Sequence, residues 1–325
     1  MKPRVHVISL GGTIAMAGEG AAGVVPKLDA ADLVAAVPEV EAVAAVTAES
    51  FRQVASANLG FADIIALAGR IGDMAGQGID GFVVTQGTDT LEDSAFLLAC
   101  LTDGSVPVAV TGAMRNPTQV GGDGPANLLA AVCVAASGET AEHGVVVVMN
   151  DEIHTARHVT KAHRFNVAAF ASPDTGPIGW VAEGRVRYHG TAKPPPRFRP
   201  VELTRPAEVA LLTSVFGSQG RLLDGFAEKG FDGLVVEAFG VGHLPESLAD
   251  AAGALAEAMP VVLASRIPAG EIFTETYGYA GGEIDLIRRG FIPAGPWSGR
   301  KARILLTLAL MQGASRQEIA VVLGA

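Results

Sequence analysis

The sequence predicts an α/β fold in two parts: a larger N-terminal domain on a mostly parallel sheet flanked by helices, and a smaller C-terminal α/β domain. Three observations predict it. Short Val- and Ile-rich runs alternate with stretches of helical spacing, the rhythm of βαβ units. The runs are continuously apolar, as strands covered on both faces must be. The rhythm then breaks at Ala192-Lys-Pro-Pro-Pro-Arg-Phe-Arg-Pro200 and restarts beyond it. Three consecutive prolines favour extended geometry, so a linker is expected at 190–207, between domains spanning 1–189 and 208–325.

Taken in order, Val5 to Leu10 reads as the first strand, stopped by Gly11-Gly12-Thr13 in a turn that only small residues make. Met16 to Val25 carries Gly18, Gly20 and Gly23 without a large anchor before Val24, and reads as a mobile loop. Leu28 to Val37 is helical in spacing with Asp29 as cap. Helical spacing returns at 63–75, 92–101 and 124–136, with strands expected at 81–84, 106–110 and 145–149. Beyond the linker, strands are expected at 209–212, 233–236 and 261–263, and helices at 220–229, 245–258 and 299–311.

The chain has 325 residues, 49% of them hydrophobic, which suffices for two buried cores. Basic residues number 24 against 34 acidic, and no Lys or Arg cluster interrupts the net −10, which argues against a nucleic-acid partner. No apolar stretch approaches the roughly 20 residues that span a bilayer, so no membrane association is expected. Met1-Lys-Pro-Arg carries the charge of a signal-peptide start, but the run after it is short and holds His6 and Ser9. A soluble cytoplasmic protein is expected. Cys100 and Cys133 lie in apolar helical segments, where buried inert thiols are expected.

Familiar cofactor motifs are missing. Gly11-Gly12-Thr13-Ile14-Ala15 lacks both the GxGxxG spacing and the GK[ST] ending, and no GxSxG elbow occurs. His154 and His158 have the i, i+4 spacing of a zinc helix but not the glutamate of HExxH, and read as solvated histidines. What remains is a pair of threonines on two strand-end turns: Thr13 in GGTIA and Thr88 in TQGTDTLEDSA. Thr88 and Asp89 stand at a helix N-terminus, where free N–H groups and a partial positive charge favour a ligand. Thr88, Asp89 or Thr90 is the candidate N-cap, with Glu92 completing a capping box. An ordinary cap is the alternative reading of the same residues.

These two turns, with TGAMRNPTQVGGDGPANL (111–128), VVVVMNDEI (145–153) and HVTKAHRFNVAAFASPDTGPIG (158–179), resemble the bacterial-type L-asparaginase and glutaminase-asparaginase family in order and spacing along nearly the whole chain. The resemblance implies a homodimer or homotetramer with active sites at the subunit interface, and no metal or organic cofactor. It matches Thr13 to a nucleophile on the amide carbon, and Thr88, Asp89 and Lys161 to a second constellation. A threonine hydroxyl attacks well only as a base removes its proton, and a desolvated lysine amine can serve. Asp89 can also pair with the α-ammonium of an amino acid. Ser56 matches a contact to the α-carboxylate, with Ala57 beside it, although Ala57 and Asn58 stand where the family commonly has Gln and Asp. Backbone N–H groups near Thr13 or Thr88 would meet the oxyanion, Gly12 and Gly87 are expected to line the substrate, and the Ala113 carbonyl matches a contact to the side-chain amide.

The family usually carries a tyrosine on the loop after GGTIA, and this chain has none there; Val24 falls at that position. Tyr277, or Tyr279, from a partner chain is the expected replacement, with His243 touching the same substrate end. The expected substrate is asparagine, with dual use of glutamine as the alternative, since one methylene discriminates by only about 1–3 kcal/mol. A non-catalytic amino-acid-binding sensor, retaining Asp89 and Ser56, is the rival class.

Overall fold

The computed structural model describes residues 1–17, 25–26, 28–191 and 193–324, and divides into two compact units, Met1–Pro200 and Val201–Ala325. The first unit is built on eight strands: β1 (Arg4–Gly11), β2 (Ala45–Val54), β3 (Gly81–Thr85), β4 (Val108–Thr111), β5 (Val145–Met149), β6 (Glu152–Thr155), β7 (Gly179–Ala182) and β8 (Arg185–Tyr188). They lie in the order β8-β7-β6-β5-β4-β3-β1-β2. The strands from β5 across to β2 run parallel, and β6, β7 and β8 add an antiparallel edge. Every residue of β3, β4 and β5 is buried, as continuous apolar strands covered on both faces require.

The connection from β1 leads to β2 on one side, and the next strand, β3, returns to the other side of β1. The sheet therefore has a topological switch point between β1 and β3, where crossovers diverge and leave a crevice at the carboxyl ends. Helices α1 (Ala30–Ala35), α2 (Val40–Val43), α3 (Phe61–Ala75), α4 (Leu91–Leu101) and α5 (Gly124–Ala136) cover the sheet. Asp29 caps α1 through a capping box with Asp32. α5 is apolar nearly all round, and its Leu128 enters a core with Val5, Val7, Val83, Ala109 and Val146.

The second unit holds four parallel strands in sequence order, β9 (Val209–Thr213), β10 (Gly233–Ala238), β11 (Val261–Ser265) and β12 (Ile292–Pro293). Around them stand α6 (Glu246–Ala256), α7 (Glu283–Arg288), α8 (Gly299–Met311) and α9 (Arg316–Leu323). Its core gathers Leu234, Val236, Leu248, Val261, Leu263 and Leu286. No helix among the described residues is long and apolar enough to cross a membrane.

Three expectations need correction. The helix expected at 220–229 is two 3-10 turns, Gly220–Leu223 and Ala227–Lys229, broken by Gly225 at φ 63°. Thr90 is the N-cap of α4 but makes no side-chain cap bond, because its hydroxyl donates to the Ser56 carbonyl at 2.9 Å and Glu92 is engaged by the backbone of Lys161. His154 is not solvated: it sits in β6, fully buried, with Nδ1 3.0 Å from Ser172 Oγ. β6 ends at Thr155 and His158 lies in the turn beyond it, so the two rings do not share a helical face.

Burial lowers the pKa of His6, His143 and His154, so each imidazole is harder to protonate in the fold than in the unfolded chain. Glu49 is also held below its usual range, first by its bidentate bonds from Arg70 at 3.0 and 2.8 Å. In each case the unfolded chain binds the proton more readily, so stability is present above the unfolded pKa and is lost as pH falls. The unfolding midpoint is expected to drop as pH falls from about 7 to about 5, the window below the free imidazole value. His154→Gln should show a shallower decline in calorimetry, and a flat profile in the native protein would contradict the assignment.

Candidate active site

The switch point is assembled through glycines. β1 ends at Gly11 and is followed by Gly12, at φ 95° and 86°, and then by the 3-10 turn Thr13–Ala15. A Cβ on Gly12 would lie 2.0 Å from the backbone nitrogen of Gly87 and 2.3 Å from its Cα. The turn after β1 and the turn after β3 are thus in direct backbone contact, and no residue with a side chain fits between them. Gly87 in turn faces Ser56, whose Oγ would lie 2.8 Å from an added Cβ. A Cβ on Gly112, after β4, would meet the Gln86 carbonyl at 2.6 Å and Thr88 Cγ2 at 3.3 Å. Across the sheet in the order β2, β1, β3, β4, the following turns present Ser56, Thr13, Thr88 and Ala113 along one edge.

The Ala113 turn is pinned from α5. Asp123 accepts the N–H groups of Met114 at 2.9 Å and Arg115 at 2.8 Å. Asn127 Nδ2 donates to the Gly112 carbonyl and to Asp123, each at 3.0 Å. These two side chains fix the direction of the buried Ala113 carbonyl, and the sequence reading gave them no role. The signal was present: Asp and Asn four apart, at and inside a helix start that follows two glycines.

Lys161 arrives from a separate element, the short antiparallel pair Thr160–Lys161 with Phe170–Ala171. Its backbone N–H donates to the buried carboxylate of Glu92 in α4. Its Nζ donates to Thr88 Oγ1 at 2.9 Å and to Asp89 Oδ1 at 2.7 Å. The lysine is largely buried at 15% side-chain exposure, whereas the Asp89 carboxylate is 75% exposed. One end of the constellation is desolvated and the other is open to a ligand's cation. Gly12, Thr13, Ser56, Gly87, Thr88, Asp89, Ala113 and Lys161 all belong to this unit, with Ala57 exposed next to Ser56. Val24 lies outside the described residues.

His243 and Tyr277 belong to the second unit. Their rings meet edge-on at 4.8 Å, with Tyr279 5.4 Å from His243, and both tyrosines are substantially exposed. Beneath them lies Glu283, fully buried, its Oε2 3.5 Å from His243 Nε2. The sequence reading passed over Glu283, because a Glu after two glycines at a helix start looks like any first-turn acid.

Hydroxyls, an amine and a carboxylate gather at the switch point of a parallel sheet, with a lysine against a threonine hydroxyl, an arrangement able to activate a nucleophile. Family models described as "Asparaginase, N-terminal" and "Glutaminase/Asparaginase C-terminal domain" match residues 4–194 and 208–323, and the chain belongs to this family. It is 41% identical to a probable L-asparaginase of Deinococcus radiodurans, covering 98% of this chain and 96% of the relative. It is 33% identical to L-asparaginase 2 of Escherichia coli, covering 98% and 91%. The crystal structure of a probable cytoplasmic L-asparaginase from Campylobacter jejuni superposes with a TM-score of 0.89 at 33% identity, covering 99% of each chain.

The glycine contact makes a quantitative prediction. Gly12→Ala should cost about 3 kcal/mol or more, combining a strained positive φ with backbone overlap. Gly69→Ala, inside α3 with open space around it, should instead gain about 0.5–1 kcal/mol. Urea unfolding of both variants checks the pair, and equal effects would show that the Gly12–Gly87 contact is not tight.

Proposed function

We propose that this protein hydrolyses L-asparagine to L-aspartate and ammonia through a threonine nucleophile. The observation that carries the assignment of roles is Lys161 Nζ held between Thr88 Oγ1 and Asp89 Oδ1 at 2.9 and 2.7 Å. Thr13 attacks the side-chain amide carbon, and its proton passes by way of the Thr88 hydroxyl to the Lys161 amine. Backbone N–H groups around Gly12 and Gly87 meet the developing oxyanion. Collapse breaks the C–N bond and the proton leaves with ammonia, after which water cleaves the ester to aspartate. The exposed Asp89 carboxylate takes the substrate's α-ammonium, Ser56 the α-carboxylate, and the Ala113 carbonyl the amide N–H.

Tyr277 of the partner subunit supplies the hydroxyl beside Thr13 in a homodimer or homotetramer, and His243 flanks the same substrate end. Support comes from the half-exposed aromatic cluster in the second unit and from the want of a tyrosine in segment 18–26. A cytoplasmic location accords with the description of the Campylobacter jejuni neighbour. Dual glutaminase activity is the second reading, favoured by the description of the C-terminal family model.

Ammonia release from L-asparagine, L-glutamine and D-asparagine tests the substrate. Thr13→Ala and Lys161→Met should each lower kcat by about a thousandfold or more with the fold intact by circular dichroism. Changing Tyr277 and Tyr279 together to Phe should lower kcat by about a hundredfold. A near-normal kcat in the double variant removes the tyrosines from the chemistry.

A further inference from the structure

The second unit contains a buried charge whose bonding is half complete. Glu283 opens α7 with its side chain entirely shielded from solvent. Its Oε1 accepts the backbone N–H groups of Thr276 at 2.8 Å and Tyr277 at 2.5 Å, tying the carboxylate to the segment that carries the tyrosine. Burial pushes its pKa up, but the N–H donors of Tyr277, Glu283 and Thr276, with His243 nearby, outweigh burial and hold it below the usual range. The group is therefore a carboxylate at neutral pH. Its second oxygen, Oε2, is buried without a hydrogen-bond partner, and so is His243 Nε2, 3.5 Å away. A buried ionised oxygen and a buried ring nitrogen facing each other are both satisfied by one proton on Nε2 and a shift of a few tenths of an ångström.

We infer that Glu283 is a positioning residue that acts through His243. Its Oε2 holds the imidazole as the Nε2–H tautomer and leaves Nδ1 as the acceptor, while Oε1 fixes the backbone of Tyr277 against the same ring. Edge-on packing of His243 on Tyr277 at 86°, and on Tyr279 at 60°, carries the ring's orientation to both phenols. One carboxylate thus sets the tautomer of one side chain and the placement of another. The kinetic consequence rests on the function proposed above, and the tautomer does not.

Glu283→Gln tests this in the full chain. The amide must keep its oxygen on the two backbone donors, since its NH₂ would face them donor to donor. That NH₂ then points at His243 Nε2, which can accept only if the proton moves to Nδ1. With 15N-labelled histidine at about pH 8, the native protein should show Nε2–H at His243 and Glu283→Gln should show Nδ1–H. The signal among the chain's seven histidines is assigned by its loss in His243→Gln. In the same variant kcat/KM for L-asparagine should fall about tenfold, with little change in melting temperature. An Nδ1–H resonance in the native protein overturns the inference without any variant, and so does an unchanged tautomer in Glu283→Gln. Failure of the native protein to turn over asparagine would overturn the proposed function, while the tautomer readout would still decide the role of Glu283.

Discussion

The backbone contact between Gly12 and Gly87 is the constraint on which the first unit's site depends. The two glycines lie just beyond the ends of neighbouring strands on either side of the switch point, and their near-touching backbones set how close Thr13 and Thr88 can come. Sheets with a crossover on each side of one strand leave a crevice there in any case. Here the crevice is narrowed until two hydroxyl-bearing turns share it. Gly87 against Ser56 and Gly112 against Gln86 extend the same packing to the flanking turns, so four loops behave as one layer. Catalytic groups on loops are precise only when something rigid fixes them. In this layer, backbone against backbone does so without side-chain rotamers to freeze.

Lys161 is placed by a different device. It belongs to a two-residue strand that is not part of the large sheet, yet its main chain is bonded to Glu92, buried in the first turn of α4. Thr88 and Asp89 stand in the turn that leads directly into that helix. The helix that presents the hydroxyl and carboxylate therefore also holds the amine's backbone. Glu92 looked like half of a capping box, and its use as an anchor for Lys161 explains why Thr90 is left to bond Ser56 instead. A helix cap has been exchanged for two contacts that tie α4 to its neighbours, a substitution that costs α4 some end stability.

How much of this was legible in the sequence follows from where each signal resides. Strands β3, β5 and β10 announced themselves because buried parallel strands are unbroken apolar runs. Strand β2 escaped because Ala45–Val54 lies at the sheet edge with Thr47, Glu49, Ser50, Arg52 and Gln53 in it, and an edge strand need not be apolar. Without β2 there was no visible switch point, and the adjacency of Thr13 and Thr88 rested on resemblance alone. Composition could suggest Lys161 only as one lysine among several. Its contact with Thr88 bridges 73 positions in the chain, and local periodicity is blind to such pairings. Glu283 was invisible for the same reason, since its meaning comes from His243 and the Tyr277 backbone, brought to it by the fold.

The exposure of Asp89 sets a condition on the chemistry. The contact between Lys161 Nζ and the Asp89 carboxylate at 2.7 Å gains little when the carboxylate is three-quarters in water, because solvent screens it and competes for its hydrogen bonds. The same pair strengthens steeply once water is excluded. On the function proposed above, a bound amino acid would cover part of Asp89 and bring its own ammonium to the carboxylate, competing with Lys161 for it. The lysine's bonding would then shift toward Thr88, the contact through which a proton would move. Selection for an α-ammonium and activation of the hydroxyl would be linked under that proposal, since one carboxylate would serve both. An amide lacking the α-ammonium would leave Asp89 on Lys161 and the base restrained, so substrate discrimination falls on the rate of attack as well as on affinity.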